Sequence, residues 1–298
     1  MARITLLDGG MGQELLARTG DEPTPLWATQ VMIDHPDVVR QVHADYFAAG
    51  ATIATTNTYA IHHDRLIPFG RDHLFETLHR KALAQARAAR DAHGSGRIAG
   101  SIGPLGASYR TDLDLPLAEA TARNAEIARL LGPEVDLILL ETQATLAQCE
   151  GALAGAQAAG KPVWLSVTVD DRDGSRLRSG EPISGLAPLV ARYKPTAVLA
   201  NCSVPEAMAA ALAELKRLGP PFGAYANGFT HISDEFLKAS PTVKTLSHRH
   251  DLTPERYAEF ALSWVNAGAT IVGGCCEVGP AHIRLLAQRL REAGHEVV

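Results

Sequence analysis

The chain has 298 residues, 46% hydrophobic and 20% charged, the balance of an ordinary globular protein. Its formal net charge of −5 comes without any clustering of Lys and Arg, which excludes the electrostatic footprint of a nucleic-acid binder. No apolar run is long enough to span a bilayer, and the opening MARITLLDGG lacks the apolar stretch and cleavage site of a signal peptide, so a cytoplasmic location is expected.

In chain order, short apolar, β-rich runs fall at 4–8, 52–56, 97–101, 136–140, 163–169, 197–201, 222–226 and 270–274. Between them lie helical patterns near 37–49, 72–93, 116–131, 143–159, 184–192, 204–218 and 253–267, with a last one near 279–293. Punctuation supports the boundaries. Asp34 and Pro36 precede the first of these helices and Gly50 ends it. Thr253 followed by Pro254 reads as an N-cap with proline at the first helical position. Gly160, Gly219, Gly268 and Gly294 stand where helices stop. Strand–helix alternation means parallel βαβ units. Eight of them predict a (β/α)₈ TIM barrel occupying residues 1–298 as a single domain. The competing arrangement is a doubly wound open sheet, because periodicity does not distinguish closure from an open edge. The segments after strands 1, 2 and 7 read as long loops, the longest running from Asn227 to about Leu252. In a barrel such loops gather at the C-terminal rim, where active sites are built.

Four cysteines in a chain of this length do not make a disulfide framework; in a reducing cytosol they are thiols, packing residues or metal ligands. Cys202 follows strand 6 in VLANCS, and Cys275 and Cys276 follow strand 8 in IVGGCC. They are too far apart in sequence for a zinc finger, so only the fold can join them. Strands 6 and 8 of a barrel are both even-numbered and feed the same inward layer, which lets their ends converge. Adjacent cysteines on a regular strand point to opposite faces. Gly273 and Gly274 are expected to permit the irregular backbone that lets both reach one ion. Three thiolates at about 2.3 Å leave one position of a tetrahedral zinc open. Their summed charge with Zn²⁺ is −1, poor for polarising water and suited to holding a nucleophilic thiolate near neutral pH. The alternative is that these are small buried residues at strand ends. Cys149, within a helix, reads as packing.

These features resemble the homocysteine S-methyltransferase family. The resemblance is carried by LLDGGMGQELLARTG near the N-terminus, PLW at 25–27, TTNTY at 55–59, GSIGP at 100–104, ET at 141–142, NCS at 201–203 and GGCC at 273–276. It covers nearly the whole chain in motif order, and GGCC with the distant NCS is its specific part. It implies a (β/α)₈ barrel, Zn²⁺ on Cys202, Cys275 and Cys276, and homocysteine as methyl acceptor. It implies Asp8 and Glu141 as partners of the substrate ammonium, with Gly9 and Thr56 near its carboxylate. An ammonium needs acceptors, which two carboxylates at separate strand ends supply. One departure stands after strand 7, where the family often has Pro-Asn and a small residue and this chain has Ala226-Asn227-Gly228-Phe229. Asn227 is expected to line the site.

The expected activity is a zinc-dependent methyltransferase that moves a methyl group from a sulfonium or quaternary ammonium donor to the thiolate of homocysteine, forming methionine. The favoured donors are S-methylmethionine and S-adenosylmethionine, with Trp27, Tyr59, Tyr109 and Phe229 as candidate aromatic partners for a cationic donor. The alternative is a homocysteine-binding barrel subunit of a split corrinoid-dependent methionine synthase, with the corrinoid on another polypeptide. Zinc hydrolysis on His and carboxylate ligands is disfavoured, because the 12 histidines fall mostly in helices and loops. The loop through His231, His248 and His250 has no assigned role; His248-Arg249-His250 reads as solvated, with a second metal site as the rival reading.

Overall fold

The computed structural model describes residues 1–233, 236–237 and 246–298. Among the described residues, nine strands form one sheet: β1 (Arg3–Leu6), β2 (Ile53–Thr55), β3 (Arg97–Ile102), β4 (Leu137–Gln143), β5 (Val163–Val167), β6 (Ala197–Asn201), β7 (Phe222–Tyr225), β8 (Ile271–Val272) and β9 (Glu296–Val297). Their order is β2-β3-β4-β5-β6-β7-β8-β1-β9, and every ladder pair is parallel. The sheet curls into a barrel-like α/β layer. Just beyond β1, Leu7 bridges Ile53 of β2, and Thr52 N donates to Leu6 O at 2.7 Å. The order contains no switch point of the kind a doubly wound sheet requires.

Burial on both faces explains the near-continuous apolar strands. Along β4, Leu137 and Leu139 join an inner cluster with Leu7, Ile53, Ala99, Trp164, Leu199, Tyr225 and Ile271, while Ile138 and Leu140 pack outward in the larger cluster. The same two-residue alternation sends Ala197 and Leu199 inward and Val198 and Ala200 outward along β6.

The predicted helices form, with adjusted ends. The first is Pro36–Ala49; Asp34 does not lie outside a helix but ends an earlier one, Ala28–Asp34. That helix and Met11–Thr19 occupy the segment after β1 that reads as loop in sequence. Their N-caps, Gly10 and Trp27, make no side-chain cap, so the usual start signal is missing. The C-terminus also departs from expectation. After helix Pro280–Glu292 the chain adds β9, pairing Arg3 with Glu296. Elsewhere the punctuation holds. Thr253 accepts a hydrogen bond from Arg256 N at 3.3 Å, a cap worth about 1 kcal/mol. Among the described residues, no helix is long and apolar enough to cross a membrane.

Candidate metal centre and substrate cavity

The three expected cysteines meet. Their sulfur atoms lie within 4.8 Å of one another, with Cys202 and Cys276 buried and Cys275 half-buried. The continuation of β7 sets the spacing: Cys202 N donates to Tyr225 O at 3.2 Å, and Cys275 N donates to Ala226 O at 3.0 Å. Beneath them the buried Tyr257 hydroxyl accepts from Ala226 N at 3.1 Å and donates to Gly273 O at 2.6 Å, tying the ends of β7 and β8. Strand β8 ends at Val272, so neighbouring cysteines need not alternate. They lie in a turn closed by Val278 N donating to Cys275 O at 3.1 Å.

The role expected of Gly273 and Gly274 is corrected in detail. Neither has a positive φ; the left-handed residues here are Cys202 (φ 49°) and Glu277 (φ 65°). The glycines are required by close approach, since a Cβ on Gly273 would stand 2.5 Å from Leu7 Cβ and one on Gly274 2.3 Å from Val278 Cγ1.

Cys202 and Cys275 are joined as a disulfide, whereas thiols were expected; Cys149 and Cys276 are free and buried. Burial pushes the Cys276 thiol up to about 12, with the Glu277 carboxylate adding to the shift. Three clustered sulfurs are a soft donor set of the kind that takes zinc, and they fit a metal once all three are thiolates. The disulfide withdraws two of the donors. Zinc uptake by air-oxidised protein is therefore expected to stay well below one ion per chain and to reach one after thiol reduction, as metal analysis with a thiol count would show.

Two carboxylates share the cavity wall. Asp8 accepts from Thr55 N and Thr55 Oγ1, each at 2.7 Å. Glu141 accepts from Tyr225 OH at 3.0 Å and from the Ser101 hydroxyl. Every one of these partners is neutral, and among the described residues no ion pair to a basic side chain holds either acid. Burial, together with the neighbouring Glu141 charge and against the pull of Thr55, raises Asp8 to about 7. Burial likewise raises Glu141, while Ser101 and Tyr225 pull it down.

A cavity of about 100 Å³ joins the acids to the sulfurs. Asp8, Gly9, Thr56, Glu141, Cys202, Cys275 and Cys276 all line it, and so do Trp27, Tyr59, Tyr109, Phe229 and Phe236. Gly9 tolerates no side chain, because a Cβ would lie 2.0 Å from Val278 O. The Thr56 hydroxyl is engaged already, accepting from Ser101 N at 3.0 Å and lying 2.7 Å from Thr58 Oγ1. Tyr109 is braced by Arg178, whose guanidinium sits 5.1 Å from the ring centre and is held by Asp171 at 3.1 Å.

A family model described as homocysteine S-methyltransferase matches residues 5–290. The chain belongs to the homocysteine S-methyltransferase family. It is 32% identical to the homocysteine S-methyltransferase of Escherichia coli (strain K12), covering 96% of this chain and 95% of the relative. It is 29% identical to homocysteine S-methyltransferase 4 of Zea mays, covering 98% and 90%. Among solved structures it resembles the homocysteine methyltransferase MmuM from Escherichia coli. The metallated and oxidised forms of that protein each superpose with a TM-score of 0.80 at 29% identity, covering 96% of both chains.

Within this family member not every expected residue reaches the cavity. Asn227 is buried but not among the lining residues; its Oδ1 accepts from Phe229 N at 3.2 Å and so shapes the turn. His248 lies 3.0 Å from Glu277 and packs edge-on to His250. The three cysteines remain the only metal-capable group among the described residues. The sequence reading missed Thr55, Ser101 and Tyr225, which grip the two acids. Their signal was positional, since each falls in or at the end of a strand that feeds the rim.

Proposed function

We propose that this homocysteine S-methyltransferase moves a methyl group from a sulfonium donor to the sulfur of homocysteine, giving methionine, within one (β/α)₈ barrel domain closed at the Leu7–Ile53 seam. The observation that carries the reading is the pairing, in one cavity, of a three-sulfur cluster with two buried acids that have only neutral partners. Buried carboxylates are costly unless a cation joins them, and the ammonium of an amino-acid substrate supplies that cation.

Cys202, Cys275 and Cys276 would hold a zinc ion, which would supply the means to keep the acceptor sulfur deprotonated at neutral pH. The chain's own residues do the rest. Asp8 and Glu141 hold the ammonium, each already oriented by two neutral donors. Gly9 and Thr56 border the substrate carboxylate, and Asn227 acts indirectly by carrying Phe229 into the cavity wall. Trp27, Tyr59, Tyr109 and Phe229 exclude water and present aromatic faces to a cationic donor. The acceptor thiolate gives its electron pair to the methyl carbon. The donor sulfur keeps the pair of the broken bond and leaves as a neutral thioether. No general base is needed, since the thiol proton is lost before the transfer. Retention of zinc by free thiols fits a cytoplasmic setting.

S-methylmethionine and S-adenosylmethionine are the favoured donors. The test is turnover of reduced, zinc-loaded enzyme with homocysteine and each donor separately. Methionine formed with either one supports the reading. Turnover that appears only on adding a methylated corrinoid protein would replace it with the split methionine synthase.

The acids also predict a pH dependence. Asp8, ordinarily near 3.8, ionises near 7 in the free site, so below that pH it must lose a proton to receive an ammonium. Binding of L-methionine, which has no thiol to titrate, is expected to weaken as pH falls through 7, by up to about tenfold per pH unit. It should level off above that pH. Calorimetric titrations from pH 5.5 to 8.5 check this, and a flat profile would contradict it.

A further inference from the structure

We propose that Asn201 is a positioning residue that clamps a bulge in β4 and so aims Glu141 into the cavity; this rests on the reading of Glu141 as an ammonium partner. The ladder between β4 and β5 pairs Leu140 with Leu165 and then Gln143 with Val167. Glu141 and Thr142 therefore stand opposite the single residue Ser166, which is a β-bulge, a device that re-aims a side chain. Thr142 has φ 59°. A β-branched residue rarely adopts that left-handed conformation and keeps it only where its surroundings enforce it.

Asn201, the last residue of β6, supplies the enforcement. Its Oδ1 accepts from Thr142 N at 3.0 Å and from Ser166 Oγ at 2.7 Å, and its Nδ2 donates to Thr142 Oγ1 at 2.8 Å. One buried amide thus satisfies the N–H that the bulge removes from the ladder and grips both sides of the two-against-one step. The next residue is Cys202, itself left-handed at φ 49°. The same short segment therefore carries a sulfur of the metal cluster and the clamp on the acid pocket. Without the clamp, Thr142 relaxes toward negative φ. A backbone change of one residue's register turns Glu141 away from the inner face.

The test uses full-length, reduced, zinc-loaded protein, with L-methionine affinity and zinc per chain as readouts. Asn201→Ala is expected to weaken methionine binding by about 10- to 100-fold, because Thr142 loses the contacts that hold it at positive φ and Glu141 with it. Zinc should stay at one ion per chain. Adding Thr142→Gly is expected to restore most of the affinity, since glycine adopts positive φ without a clamp. A merely structural role for Asn201 would show no such rescue. Unchanged affinity in Asn201→Ala, failure of glycine to rescue, or loss of zinc with affinity intact would each overturn the proposal. If Asn201→Ala does not fold, Thr142→Val carries the test; it keeps the side-chain shape, loses the hydroxyl, and should bind several-fold more weakly, with unchanged affinity again overturning the clamp. Glu141→Gln separates the two layers. If it binds methionine normally, the ammonium reading fails by itself. If it binds weakly while Asn201→Ala binds normally, only the clamp fails.

Discussion

Replacing Cys276 with alanine is expected to abolish stoichiometric zinc and to lower kcat/KM for homocysteine by at least about 10³-fold, the scale on which loss of a metal-activated nucleophile is felt. Cys276 is the sulfur left outside the Cys202–Cys275 disulfide, so its contribution is separable from that of the pair. Alanine leaves only two sulfurs in the cluster, too few for the three-thiolate site proposed here. The acceptor thiol would then have to ionise without the help of a metal. The fold should survive, because the side chain is small and lies in a turn beyond the end of β8. Metal analysis, a melting curve and steady-state rates on the same preparation check all three statements. Full turnover from a folded, zinc-free variant would refute the metal reading.

Glu141→Gln is the second large effect. The substitution keeps the side-chain volume, and the Ser101 and Tyr225 hydroxyls that donate to Glu141 can rotate to suit an amide. What is lost is the buried negative charge. If it meets the substrate ammonium, its removal costs about 2–4 kcal/mol, or roughly 30- to 1000-fold in homocysteine affinity. The loss should fall on KM more than on kcat, because the ammonium is bound alike in ground state and transition state. Zinc content should not change. Burial without a basic partner also makes the carboxylate a liability for the empty protein, so the variant is expected to be as stable as the parent or slightly more so. A KM within twofold of the parent value would remove Glu141 from the substrate site.

Parallel strand–helix order was legible because each strand is apolar on both faces and each helix repeats its apolar positions at helical spacing. Leu137 to Leu140 show why: alternate residues enter different clusters, so the sequence carries no polar face to mark the inside. For the same reason the sequence did not say which strand residues face the cavity. The helices Met11–Thr19 and Ala28–Asp34 escaped because their caps are backbone geometry rather than Ser, Thr or Asp side chains. Asn227 stands after β7 as expected, and its Oδ1 accepts from Phe229 N there, a partner that only the folded turn supplies.

The residue types at the strand ends are legible in the chain alone: a cysteine after β6, a cysteine pair after β8, and acids at positions 8 and 141. Those types point to soft-metal binding by the thiolates and to recognition of a cation by the carboxylates. Their meeting in one cavity is a property of the folded chain. Hydrogen bonds from Cys202 and Cys275 to the consecutive carbonyls of Tyr225 and Ala226, at and just past the end of β7, set the sulfur spacing, and Tyr257 pins the segment that supplies them. Neutral donors from β2, β3 and β7 hold the two acids, and among the described residues no basic side chain pairs with either. Such convergence depends on strand register and on which neighbours remain unpaired, and neither is encoded within any one segment of the chain.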